Sequence, residues 1–122
     1  MSIHWKYLKT SDDLDEALAK SGITDIVIFK HSTTCSISLM AKMRFEEKWD
    51  FAEDKLIPYY VDVKEHRNIS MLIAEKLSVN HESPQLLLIR NKECIYDASH
   101  FDITVDELKE SILWHDASTA DH

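Results

Sequence analysis

Cys35 is the residue of this chain whose surroundings predict reactivity. It follows the continuous apolar run Ile26-Val27-Ile28-Phe29 and heads an amphipathic segment that reaches about Trp49. A cysteine that leaves a buried strand and enters the first turn of a helix meets unpaired backbone N–H groups and the positive end of the helix dipole. Both favour thiolate over thiol, and thiolate is the form that attacks a disulfide. The stretch His31-Ser32-Thr33-Thr34-Cys35-Ser36-Ile37-Ser38 is therefore a candidate site of disulfide exchange. The opposing reading is an inert cysteine packed at a helix start as a small hydrophobe. His31 would add positive potential when protonated, with a solvated loop residue as its plainer role. The Ser38 hydroxyl either donates to the sulfur or bonds back into its own helix turn.

The elements that must position Cys35 follow from periodicity. Ile3, Trp5 and Tyr7 alternate as in a half-buried strand over Ser2 to Lys9. Thr10 or Ser11 then caps a helix with acidic Asp12 and Asp13 in its first turn and Leu14, Ala17 and Leu18 as its buried stripe. Gly22, the only glycine, is expected in the left-handed position that closes this helix. Asp25 to Lys30 reads as a central strand buried on both faces. After Cys35, the residues Ile37, Ala41, Phe45 and Trp49 recur at i+4 steps, with Met40 widening the stripe. Leu56 to Val63 is a further strand, with Pro58 confined to its start or to an unpaired edge.

Ile69, Leu72, Ile73 and Leu77 mark a third helix, capped by Asn68 or a residue just before it. Leu86 to Ile89 and Cys94 to Tyr96 form a hairpin around Arg90-Asn91-Lys92-Glu93, where Asn suits a strained turn position. Thr104 to Glu107 is a capping box that opens a last helix, with Val105, Leu108 and Ile112 inward. The order is β-α-β-α-β-α-β-β-α, an α/β chain with a parallel half joined to an antiparallel half. Residues 1–115 make one domain, and 116–122 read as a flexible tail.

Composition narrows the partners. The 122-residue chain carries 14 Lys plus Arg against 22 Asp plus Glu, a formal charge of −8. Such a surface repels phosphate backbones, so no nucleic acid is expected. No apolar run nears the ~18 residues of a membrane span, and the start lacks the apolar core of a secretory signal, so a cytoplasmic location is expected. Two cysteines do not make a disulfide framework. None of the seven histidines has metal-ligand spacing, so no metal is expected. Lys30, Lys42 and Arg44 are the basic groups near the motif and would offset the acidic surface there.

Lys30 to Ser38, then His81-Glu82-Ser83-Pro84-Gln85, then Ser99-His100 ahead of Ile103-Thr104, resemble the motifs of the monothiol bacilliredoxins. The resemblance spans nearly the whole chain. It implies a thioredoxin-like fold, with a central mixed β-sheet flanked by helices. It also implies removal of bacillithiol, a low-molecular-weight thiol, from S-thiolated client proteins. No tightly bound cofactor is then expected, and bacillithiol is a co-substrate. Carried over by position, Cys35 is the nucleophile, and Ser38 stands where a dithiol relative has its second cysteine. Pro84 is the cis-proline facing the active site, presenting the Ser83 backbone to an incoming chain by strand-like pairing.

Thr34 and Ser36 flank the sulfur. The family usually has proline at the place of Ser36, where it would stiffen the first turn at no hydrogen-bond cost. Cys94 is expected to be structural, since pairing with Cys35 needs Cα atoms within ~7 Å. His81 and His100 fall in the motifs without an assigned role. Two other classes compete: a glutaredoxin-like protein holding an iron–sulfur cluster between two subunits, and a non-catalytic interaction domain.

Overall fold

A computed structural model describes residues 3–120. In chain order the elements are β1 (Lys6–Tyr7), α1 (Ser11–Lys20), β2 (Ile26–His31), α2 (Ser36–Lys48), β3 (Ile57–Asp62), α3 (Arg67–Leu77), β4 (Gln85–Arg90), β5 (Glu93–Ser99) and α4 (Val105–Ala120). A single 3-10 turn, His100–Asp102, links β5 to α4. The order agrees with the periodicity. The five strands form one sheet in the order β1-β3-β2-β4-β5. β1, β3 and β2 run parallel, while β4 and β5 complete the sheet antiparallel. All six residues of β2 are buried, as a central strand requires.

The two faces of the sheet bury separate cores. Ile26 and Ile28 pack with Leu14 and Ala17 of α1 and Ile69, Ile73 and Leu77 of α3. Val27 and Phe29, one residue out of phase, pack with Ala41 and Phe45 of α2 and Val105 and Leu108 of α4. By the same alternation Lys30 belongs to the α1/α3 face and His31 to the α2 face. Pro58 is the second residue of β3. The Ile57 N–H donates toward β2, to Asp25 O at 3.1 Å, so the Pro58 nitrogen turns toward β1. β1 pairs only from Tyr59 onward, so no ladder bond is lost.

Some local expectations hold and others change. The first strand shrinks to Lys6–Tyr7; Met1 and Ser2 lie outside the described residues. Thr10 is the cap of α1 and forms a reciprocal capping box with Asp13. Gly22 does not adopt a positive φ. Instead α1 ends in tightened turns, in which the Gly22 and Ile23 N–H groups donate to Ala19 O and Lys20 O at 3.1 and 3.0 Å. The left-handed closing residue occurs on α3, as Ser78.

On α2 the inward stripe is Ser38, Ala41, Phe45 and Trp49, and both Ile37 and Met40 face solvent. His66, two residues before Asn68, occupies the N-cap position of α3. Asn91 and Lys92 share the left-handed turn of the β4–β5 hairpin. The Thr104 hydroxyl accepts from the Glu107 N–H at 3.1 Å, as a capping residue should. α4 continues through residue 120, into the stretch read from sequence as tail. Asp116 there pairs at 2.7 Å with Arg90, whose guanidinium also grips both oxygens of Asp25. No helix among the described residues is long and apolar enough to cross a membrane.

Candidate active site

β2 ends at His31, and a short turn carries the chain to Cys35, where the N–H donates to Ser32 O at 3.2 Å. Cys35 is the N-cap of α2, with extended backbone (φ −105°, ψ 121°), and its carbonyl accepts the first helical bond, from Leu39 at 3.0 Å. At an N-cap, a Ser, Thr, Asp or Asn oxygen ordinarily takes a bond from the first-turn N–H groups. The Cys35 side chain makes no such bond. The sulfur of this partly exposed residue therefore stands in an acceptor's place, at a helix end that favours negative charge. Thr34 and Ser36 are exposed on either side of it, and Ser36 is the first helical residue.

Ser38 does neither of the two things predicted for it. It is fully buried, and its Oγ lies 2.6 Å from His31 Nδ1 while accepting the Ser32 N–H at 3.0 Å. One hydroxyl thus ties the end of β2, the turn and the first turn of α2 together. His31 is correspondingly no source of positive charge. It is 4% exposed, and burial, reinforced by Lys42, lowers its pKa against the opposing pull of Asp62 and Glu46, so it is neutral at pH 7. Ser38→Ala leaves a buried ring nitrogen and a backbone N–H without their partner. It is expected to lower unfolding stability by about 1–3 kcal/mol. Urea denaturation checks this, and an unchanged midpoint would contradict it.

Far along the sequence, Ser83-Pro84 immediately precedes β4, and its peptide bond is cis, as expected. The segment is fastened from two sides. Pro84 O accepts the His100 N–H at 3.0 Å, and His100 holds a left-handed backbone to deliver it. His100 Nε2 also sits 3.5 Å from Glu82. On the other side His81 Nδ1 lies 3.2 Å from both Lys30 Nζ and Ser70 Oγ. Lys30 is fully buried and also donates to Ser70 O at 3.0 Å. Burial alone brings its pKa down to about 8. His81 accepts from Lys30, and its own pKa is lowered by burial and then by Lys30 and Arg67. The buried Ser83 Oγ and Gln85 Oε1 have no hydrogen-bond partner among the described residues. Gln85 lies directly across from Lys30 in the β2–β4 ladder.

Sequence reasoning missed this Lys30–Ser70–His81 group. The signal was present in Lys30 itself: a lysine in a strand buried on both faces must find buried partners. Lys42, predicted to offset the acidic surface, is already paired with Glu46 at 2.8 Å and lies against the Trp5 and Tyr60 rings. Arg44 is exposed on α2.

Cys94 sits at the other end of the sheet. It pairs with Ile89, which in turn faces Ile26 at the start of β2. At about 3.3 Å per residue along β2 and about 4.8 Å per strand, its separation from Cys35 is roughly 20 Å. That is far beyond disulfide reach. Among the described residues no group of three or more His, Cys, Asp or Glu side chains could hold a metal ion.

Comparison with known proteins shows the family and a thioredoxin-like fold. A family model described as monothiol bacilliredoxin BrxC matches residues 6–108. A solved structure described as a proposed oxidoreductase with a thioredoxin fold is 31% identical, with a TM-score of 0.76, covering 88% of this chain and 92% of that one. The thioredoxin Mala s 13 of Malassezia sympodialis superposes with a TM-score of 0.72 at 22% identity, covering 94% of this chain and 92% of that one. Thioredoxin O2 of Arabidopsis thaliana gives 0.68 at 20% identity, covering 90% and 92%. The last two matches show the fold alone.

Proposed function

The chain belongs to the monothiol bacilliredoxin family, and from that premise we propose that it removes bacillithiol from mixed disulfides on oxidised cytoplasmic proteins. A thiol–disulfide redox role is the coarser part of this reading, supported by family and fold together. The Cys35 thiolate attacks the bacillithiol sulfur of the mixed disulfide. A Cys35–bacillithiol disulfide forms, the client's S–S bond breaks, and the client sulfur leaves as thiolate and takes up a proton. A second thiol from solution then attacks the Cys35 adduct and regenerates the protein. Thr34 and Ser36 flank the sulfur, Ser38 holds the turn, and Ser83 and Pro84 present backbone to the client. His31 is a structural partner of Ser38 in this scheme.

The observation that carries the reading is the partly exposed Cys35 at the start of α2, whose side chain makes no capping bond. The test is mass spectrometry of Cys35 after incubation with the disulfides of bacillithiol, glutathione and coenzyme A, followed by release of thiol from an S-thiolated client. A bacillithiol adduct confined to Cys35, and reduced client after turnover, is the expected result. Absence of any adduct at Cys35 would overturn the reading.

A further inference from the structure

We propose that a cleft at the β1–β3 edge of the sheet binds the charged end of the small thiol that Cys35 exchanges, and that it selects thiols carrying both an amine and a carboxylate. The inference rests on the reading of Cys35 as the acceptor of that thiol. The cleft has a volume of about 270 Å³ and is lined by Tyr7, Lys9, Tyr60, Asp62, Glu65 and His66. β1, β3 and β2 run parallel, and Tyr7, Asp62 and His31 are their last residues, so the cleft opens at the same end of the sheet as Cys35. Carboxyl ends of parallel strands are where open α/β sheets take ligands. The cleft also lies on the face that carries α2. The Tyr60 ring is 5.8 Å from the His31 ring, His31 holds Ser38 one turn past Cys35, and Lys42 of α2 lies 5.6 Å from the Tyr60 ring.

The lining is of mixed sign. Asp62 Oδ1 accepts the N–H groups of Lys64 and Glu65 at 2.9 and 3.1 Å, which fixes the carboxylate in place. Its Oδ2 makes no hydrogen bond or ion pair among the described residues. Glu65 lies 4.0 Å from His66. Lys9 stands 6.0 Å from the centre of the Tyr7 ring and has no ion pair among the described residues. A ligand ammonium is matched by Asp62 and Glu65, and a ligand carboxylate by Lys9, between two aromatic walls. Bacillithiol carries both kinds of group. A polyphosphate thiol such as coenzyme A would set its phosphates against two carboxylates and a single lysine.

The test compares second-order rates of adduct formation at Cys35 for bacillithiol disulfide and for the uncharged 2-hydroxyethyl disulfide. Each reaction converts the Cys35 thiolate and the disulfide RSSR into Cys35–SSR and the thiolate RS⁻, so neither needs another reagent. Lys9→Glu is expected to slow bacillithiol disulfide about fivefold, and Glu65→Gln is expected to slow it in the same direction. The 2-hydroxyethyl disulfide rate should stay unchanged in both. Lys48→Glu makes the same charge change at the exposed far end of α2 and should move neither rate. Equal slowing of both disulfides by Lys9→Glu, or equal slowing by Lys9→Glu and Lys48→Glu, would overturn the cleft while leaving Cys35 chemistry intact. A wild-type Cys35 that reacts with neither disulfide would overturn the functional reading, and the cleft with it.

Discussion

Cys35→Ala is expected to abolish release of bacillithiol from a client mixed disulfide, and Cys94→Ala is expected to leave it unchanged. The contrast follows from where the two sulfurs sit. Cys35 stands partly exposed at the start of α2, with no side-chain hydrogen bond among the described residues. Cys94 is at the far end of the sheet, its Sγ donating to Tyr96 O at 3.4 Å. Burial pushes its thiol up to about 11, so it stays protonated and unreactive at neutral pH. Cys35→Ser sharpens the experiment. It is expected to be equally inactive, yet its hydroxyl can accept the first-turn N–H groups that the sulfur leaves unbonded, a cap worth about 1 kcal/mol. Loss of activity with a gain in stability is the signature of a residue retained for chemistry. Client release measured by mass, together with urea denaturation of the three variants, checks both halves. A Cys35→Ala protein that still turns over would refute the assignment.

The second large effect is on stability against pH. Lys30 has an ordinary pKa near 10.5 when unfolded and about 8 when folded, because its ammonium loses water on burial. Between those values the unfolded chain holds a proton that the folded chain has released, so stability rises as pH rises through this window. At 1.36 kcal/mol per unit, the gain is on the order of 3 kcal/mol. Cys94 and Tyr60 work against it. Both have pKa values raised by burial, to about 11 and about 12, so they destabilise the fold above pH 9 and 10 respectively. The wild-type curve alone would therefore blur the effect. The difference between wild type and Lys30→Met isolates it, and that difference should climb from pH 8 to 10.5 in denaturation experiments. A difference that stays flat would mean that Lys30 does not enter the fold as a buried ammonium.

Much of this architecture was written in period and punctuation. The unbroken apolar run of β2 announces a central strand, and the Asn91-Lys92 hairpin and the capping residues Thr10 and Thr104 lie where their chemistry requires. What periodicity could not resolve is which residue wins a contested inward place. Ile37 and Ser38 compete for the start of the α2 stripe, and hydropathy favours Ile37. Ser38 takes the place because a buried ring nitrogen and a backbone N–H wait there for a hydroxyl. Gly22 misleads in the same way, since a turn tightened by i−3 bonds needs no positive φ. At the site, Cys35 and Pro84 were legible by position and motif. The Lys30–Ser70–His81 group was not, because it joins residues up to 51 positions apart and no local pattern encodes such a meeting.

The burial of Ser38 carries a kinetic consequence. Even a thiol at that position would start from a packed, hydrogen-bonded place beneath the helix start, and the one other thiol in the chain is a sheet's length away. On the proposed function no internal route discharges Cys35, so loading and unloading are both collisions with molecules from outside. The loaded protein then lasts for a time set by how much free thiol surrounds it. Its occupancy becomes a gauge of that concentration: nearly empty where reductant is plentiful, and filling as the pool runs down.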